Sequence, residues 1–145
     1  MLKLVDATNL NSEAIAPHWP NIMACLQKYC DRFPKEETPE NMLEDVARGK
    51  RRMWLVLDEQ DQVVLVPITG IETLNGTGMK MLLLAECAGA RLKEAMPLLA
   101  DIEHWATREH GARVARFYAR KGWTPYLEPL GYKATAIVFE KELSP

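Results

Sequence analysis

Apolar positions recur along this chain in two rhythms, one suited to helices and one to strands. Ile22, Leu26, Tyr29 and Phe33 follow one another at spacings of four, three and four, which lines one face of a helix. Pro34 ends that helix, because proline disfavours helical backbone in the residue before it. Thr38-Pro39 reads as an N-cap with proline at the first helical position, Met42, Leu43 and Val46 as the buried stripe, and Gly49 as the C-cap. Leu2 to Val5 suits a short first strand, so strand, helix, helix is the expected opening.

Strands follow. Met53 to Leu57 and Val63 to Thr73 flank the polar connection Asp58 to Gln62, the pattern of a hairpin. Pro67 cannot donate to a ladder, so it implies a bulge or an edge position. Asn75-Gly76-Thr77-Gly78 is a second turn. Met79 to Glu86 contains the unbroken run Met81 to Ala85, as expected for a strand covered on both faces. Gly89 to Glu94 reads as loop, since Pro97 fits best in a helix's first turn and places the helix start near Ala95. Leu98, Leu99, Ile102, Trp105 and Ala106 form its apolar face, and His110-Gly111 closes it.

Residues 112 to 119 are ambiguous by periodicity, because Val114, Phe117, Tyr118 and Lys121 also fit a helical spacing. Topology decides for a strand. A helix there would join two helices through one glycine and leave too few strands to continue the sheet. A strand makes the 95–110 helix a crossover, so Met79–Glu86 and Ala112–Tyr118 run parallel as neighbours. Trp123 to Leu130 is then a short helix, and Lys133 to Glu142 a last antiparallel strand. The expected sheet has six or seven strands, over a core containing Leu82, Leu84, Leu99, Ile102, Val114, Trp123 and Val138.

At 145 residues, with no linker, repeat or low-complexity tract, the chain reads as one domain spanning 1–145. Its 48% apolar content is too high for disorder. A net charge of −2 gives no reason to expect general binding to nucleic acid or an anionic membrane. The apolar runs fall far short of the ~20 residues of a membrane span. Cys25, Cys30 and Cys87 lack zinc spacing, and no metal site is expected. They read as reduced packing thiols of a cytoplasmic protein.

The element order, with the tail features Trp105, Gly111, Arg120-Lys121-Gly122-Trp123 and Gly131-Tyr132, resembles the GNAT superfamily of N-acetyltransferases over essentially the whole chain. The tail is similar to that of small GNAT-like proteins of bacteriophages and prophages. The resemblance implies a three-layer α/β (α+β) fold: a mixed, mostly antiparallel sheet with a parallel strand pair at its splay. It implies acetyl-CoA as cofactor, a small-molecule or protein amine as acceptor, and the cytoplasm of a bacterial host as location. The alternative is a non-catalytic phage or prophage protein that keeps the fold as a binding scaffold.

GNAT enzymes hold the cofactor pyrophosphate on backbone amides at a helix start, where unpaired N–H groups and the helix dipole favour an anion. Their signature, Gln/Arg-x-x-Gly-x-Gly/Ala, falls here on Glu86, Cys87, Ala88, Gly89, Ala90 and Arg91, and only Gly89 agrees. Arg91 or Lys93 would supply charge to a phosphate, as would the basic cluster Arg108, Arg113, Arg116, Arg120 and Lys121. Glu86 and Glu72, each near a strand end, are the candidate bases, and Tyr118 the candidate acid. Solvated carboxylates and a packing tyrosine are the competing readings. Typical GNAT enzymes also carry Ala-x-x-Phe-Tyr-x-x-x-Gly-aromatic on a late helix. Ala115 to Trp123 imitates parts of it, but topology places this stretch earlier. Cys87 has no histidine nearby in sequence to activate it, so it reads as structural.

Overall fold

The computed structural model describes residues 1–145. Strand β1 (Lys3–Asp6) leads to helices α1 (Trp19–Arg32) and α2 (Pro39–Ala47), then strands β2 (Arg52–Leu57), β3 (Val63–Thr73) and β4 (Lys80–Gly89). Helix α3 (Leu92–Ala95) passes through a 3-10 turn into α4 (Leu99–His110), followed by β5 (Val114–Phe117) and the short helix α5 (Thr124–Leu127). The strands form one sheet in the order β1-β2-β3-β4-β5. All neighbours are antiparallel except β4 and β5, which are parallel. This is the mixed sheet with one parallel pair that the sequence implied. No helix is long and apolar enough to cross a membrane.

Local chemistry explains the boundaries. The Thr38 hydroxyl accepts from the Asn41 amide at 3.2 Å, so the expected N-cap of α2 is formed. Asp58 shapes the β2–β3 hairpin, its Oδ1 accepting from the amides of Gln60 and Gln62 at 2.8 and 2.9 Å. Gly111 ends α4 at φ 66, the left-handed conformation that glycine adopts without penalty.

The sheet is covered on both faces, which makes three layers. On one side Ile22 and Leu26 of α1 and Met42 and Val46 of α2 pack on Met53, Leu55, Val66 and Ile68. On the other, Ile102 and Ala106 of α4 pack on Trp54 and Leu82, while Met96 and Leu99 meet Leu84. The indole N–H of Trp54 donates to the buried Thr69 hydroxyl at 3.0 Å, so both polar groups are satisfied inside the core.

Five expectations need correction. The main helical run begins at Leu92 rather than Ala95, and Pro97 sits inside its 3-10 turn. Proline is tolerated there because it is the second residue of that 3-10 helix, where the amide of an opening turn has no partner to lose. The sheet has five strands, not six or seven, because residues 133–142 form none. A strand exists only where a ladder partner exists, and no backbone group from Lys133 onward hydrogen-bonds to the rest of the main chain. Val138 is therefore 77% exposed, and Val114, on the sheet's open edge, is exposed rather than buried. Trp123 is half-buried, packed at a tilt against Phe117 with 4.8 Å between ring centroids.

Candidate functional site

The candidate site is set by one extra residue. In the β3–β4 ladder Ile68 faces Glu86 and Thr69 faces Leu84, so Ala85 bulges from β4. Pro67, opposite Cys87, lies beside this irregularity, which is the bulge its presence implied. The bulge inverts the alternation of β4. Leu82 and Leu84 face α4, and regular pleating would put Glu86 with them. Instead Glu86 shares the face of Ile68, toward α1 and α2, and Cys87 takes the α4 face.

The same place is where β4 and β5 part. Their pairing runs from Met81 opposite Val114 to Leu84 opposite Phe117 and stops there. Beyond it β4 continues to Gly89 against β3, while the chain after Phe117 turns away. A cavity of ≈240 Å³ opens in the gap. Ala85, Cys87, Ala88 and Gly89 form one wall and Tyr118 to Arg120 the other. Tyr29 and Phe33 of α1 and Trp123 and Tyr126 close its sides, and Lys28 and Arg32 add positive charge from α1.

Of the site residues expected from the sequence, Cys87, Ala88, Gly89, Tyr118 and Arg120 meet around this one cleft. Glu86 stands just behind the wall, between Ala85 and Cys87. Glu72 does not join them. It pairs with Met81, at the opposite end of β4, and its carboxylate lies 3.8 Å from Arg51. Because β3 and β4 are antiparallel, the end of one strand is the beginning of the other. The α1 residues Lys28, Tyr29, Arg32 and Phe33 carried no expectation. Their spacing marks one helical stripe, but nothing in the sequence says which stripe borders a gap between two distant strands.

Glu86 is electrostatically unusual. It is 8% exposed, and Oε2 has no hydrogen-bond partner. Burial pushes its carboxyl up to about 7; Arg51 opposes the shift, and the carboxylates of Glu37, Asp45 and Glu36 add to it. Tyr29, a cavity wall residue, is raised well above the ordinary phenol by burial and then by Glu86. The Cys87 thiol is pushed up to about 12 by burial, which keeps it protonated and agrees with a packing role.

The loop after β4 decides whether a diphosphate fits. Gly89 has φ +144, and a Cβ there would lie 2.1 Å from the Val64 carbonyl oxygen, so the backbone approach admits only glycine. The Ala90 amide is taken, donating to that same oxygen at 2.7 Å. The amides of Arg91 to Glu94 donate to no backbone group, as the start of a helix requires. The Arg91 side chain neither fills the cleft nor lines it. It is turned outward at φ 55, with Nη1 and Nη2 donating to Glu59 at 3.1 and 3.2 Å and Nε donating to Glu94 at 3.0 Å. Unpaired amides beside a cavity carrying Lys28, Arg32 and Arg120 suit a bound diphosphate. Arg91→Ala is accordingly expected to change the dissociation constant for acetyl-CoA by no more than about twofold by calorimetry, since exposed ion pairs contribute little. A large loss would place Arg91 on the phosphate.

The late helix also settles the tyrosine segment. Ala115 to Phe117 lie in β5, so that stretch is not the helical one. Counted back from Gly131-Tyr132, the segment's Phe falls on Tyr126 and its Tyr on Leu127, which is buried against Leu84 and Met96.

No family model matches the sequence, and no curated protein sequence matches it. Solved structures do. A protein described as a probable acetyltransferase superposes with a TM-score of 0.70 at 18% identity, over 99% of this chain and 97% of its own. A GNAT family acetyltransferase of Staphylococcus aureus gives 0.65 at 11% identity, over 98% of each chain. An aminoglycoside antibiotic 6′-N-acetyltransferase of Acinetobacter baumannii gives 0.62 at 17% identity, over 99% of this chain and 100% of its own. At such identities the likeness is one of architecture, and the architecture of this chain is the GNAT fold.

Proposed function

We propose that this chain is an N-acyltransferase that moves an acetyl group from acetyl-CoA to an amine, small or protein-borne. The observation that carries the reading is the β4–β5 gap: a cationic cavity with unpaired helix-start amides and a buried, proton-avid carboxylate just behind its wall. Lys28, Arg32, Arg120 and the amides from Arg91 onward would hold the diphosphate of acetyl-CoA, with Ala88 and Gly89 letting it approach the backbone. Bound there, that cofactor supplies an acetyl group activated as a thioester.

Glu86 does the work of base. A carboxylate whose pKa is near 7 removes a proton from an ammonium far better than an ordinary one. Tyr118, on the β5 wall, holds a proton at Oη for the departing sulfur. The Arg91 side chain and Glu72 have no part in this arrangement, since one faces outward and the other lies at the far end of β4. A cytoplasmic location goes with this reading as part of the proposal.

The scaffold reading rests on two departures. The glycine-rich signature agrees with GNAT enzymes only at Gly89, and Leu127 stands where the late-helix tyrosine would be. The tail's resemblance to small phage and prophage proteins belongs with it. Thermal unfolding separates the two readings. Acetyl-CoA at 100 times its dissociation constant should add ~2.7 kcal/mol, moving the midpoint by roughly 5–10 °C. No shift at millimolar acetyl-CoA would leave the scaffold reading standing and remove the enzymatic one.

A further inference from the structure

Arg51 shares a face of the sheet with Glu86 and, like it, is short of partners. It directly precedes β2 and stands opposite Gly70 by extension of the Arg52–Thr69 register. A Cβ on Gly70 would point to the face that carries Ile68 and Glu86, and would meet the Arg51 Nη1 at 2.6 Å and Cζ at 3.3 Å. The guanidinium therefore lies flat on the sheet, where β3 has no side chain. Its side chain is only 15% exposed. Yet it donates just once, to the Lys50 carbonyl at a long 3.4 Å, and lies 3.8 Å from the half-exposed Glu72. A guanidinium pinned in this way is pre-organised for a carboxylate, which it can grip through two parallel hydrogen bonds.

Arg51 is close enough to lower the Glu86 carboxyl, but no ion pair joins the two, and Glu86 Oε2 has no partner. Sheet spacing puts Gly70, beneath the guanidinium, on the order of 8 Å from the Glu86 Cα. A small zwitterion fits such a gap, with one hydrogen bond from its ammonium to Glu86 and others from Arg51 to its carboxylate. We propose that the acceptor amine is a free amino acid, its carboxylate held by Arg51 and its nitrogen presented to Glu86. This rests on the acyltransferase reading above. Glu86 takes one proton from the ammonium, and the amine attacks the thioester carbon, so that the C–N bond forms as the C–S bond breaks. The second proton lost by nitrogen replaces the one that Tyr118 gives to the sulfur. Glu36, Glu37 and Asp45 also act on Glu86 and favour the ammonium end. A diamine is disfavoured, because its second ammonium would meet the guanidinium. A protein lysine brings no carboxylate of its own to Arg51.

Thiol release from acetyl-CoA by the full chain tests this, with the common amino acids each offered beside its carboxamide. At least one amino acid should be acetylated, with kcat/KM at least about tenfold above that of its amide, the effect of losing a charged hydrogen bond. Arg51→Gln should shrink that preference by at least about tenfold, through KM more than kcat. Gly70→Ala displaces the guanidinium without altering any charge, and should do the same. Release with amides, diamines or a lysine peptide but with no free amino acid overturns the inference and leaves the acyltransferase reading standing. A preference for acid over amide that survives Arg51→Gln overturns it as well. Release with no amine at all removes both readings. The comparison of acid with amide on native protein keeps the test decisive even if neither variant folds.

Discussion

Glu86→Gln should make this protein more stable and less active at once. Above pH 7 the fold holds a buried carboxylate whose pKa has been raised to about 7, with one oxygen lacking a partner. The sign follows from proton counting. Between the ordinary carboxylate range and about 7 the folded protein binds the proton and the unfolded chain does not, so stability falls as pH rises through that window. A neutral glutamine removes the penalty. At pH 8 the gain should be on the order of 1–3 kcal/mol, reduced from the full linkage value because the amide also needs hydrogen bonds. At pH 4 there should be none. Denaturant midpoints at the two pH values check this, and equal shifts at both would show that Glu86 is not the titrating group. Acetyl transfer should meanwhile fall by roughly 10²–10⁴, the range for losing a general base. In the native protein the rate should rise with pH to a plateau above about 7, opposite to the trend in stability.

Gly89→Ala should be the most damaging conservative change in the chain. The added methyl would sit 2.1 Å from the Val64 carbonyl oxygen and 2.8 Å from Leu65 Cα, both backbone atoms, at a φ of +144 that side chains rarely adopt. Either the end of the β3–β4 ladder opens or the loop into α3 moves. We expect a loss of about 3 kcal/mol or more in unfolding free energy, with acetyl-CoA binding abolished. Gly76→Ala is the control. Nothing lies within 4 Å of where its methyl would stand and its φ is ordinary, so it should be close to neutral. If the two variants melt alike, Gly89 is not held as tightly as its contacts require.

The strand at residues 112–119 marks how far sequence logic reaches. Periodicity left helix and strand open, and the count of strands needed for a crossover decided it; β5 is there, parallel to β4, shortened to Val114–Phe117. The same logic failed for residues 133–142, which have an equally good strand pattern and no strand. The difference is the partner. β5 lies beside β4 because α4 delivers it there. The tail is tethered at Tyr132 on the α4 face and pairs with no strand.

The sequence by itself determined the element order as far as the short helix after β5, the caps at Thr38 and Gly111, the parallel pair and the approximate position of a cleft. These follow from local propensity and from the right-handed crossover rule, which need no coordinates. Only the tertiary structure decided which side chains meet at the cleft. The bulge at Ala85 moved Glu86 to the other face of the sheet, antiparallel pairing carried Glu72 to the far end, and two carboxylates drew Arg91 outward. Each of these depends on register or on a partner distant in sequence. A single inserted residue in one ladder is enough to change which face every later side chain occupies.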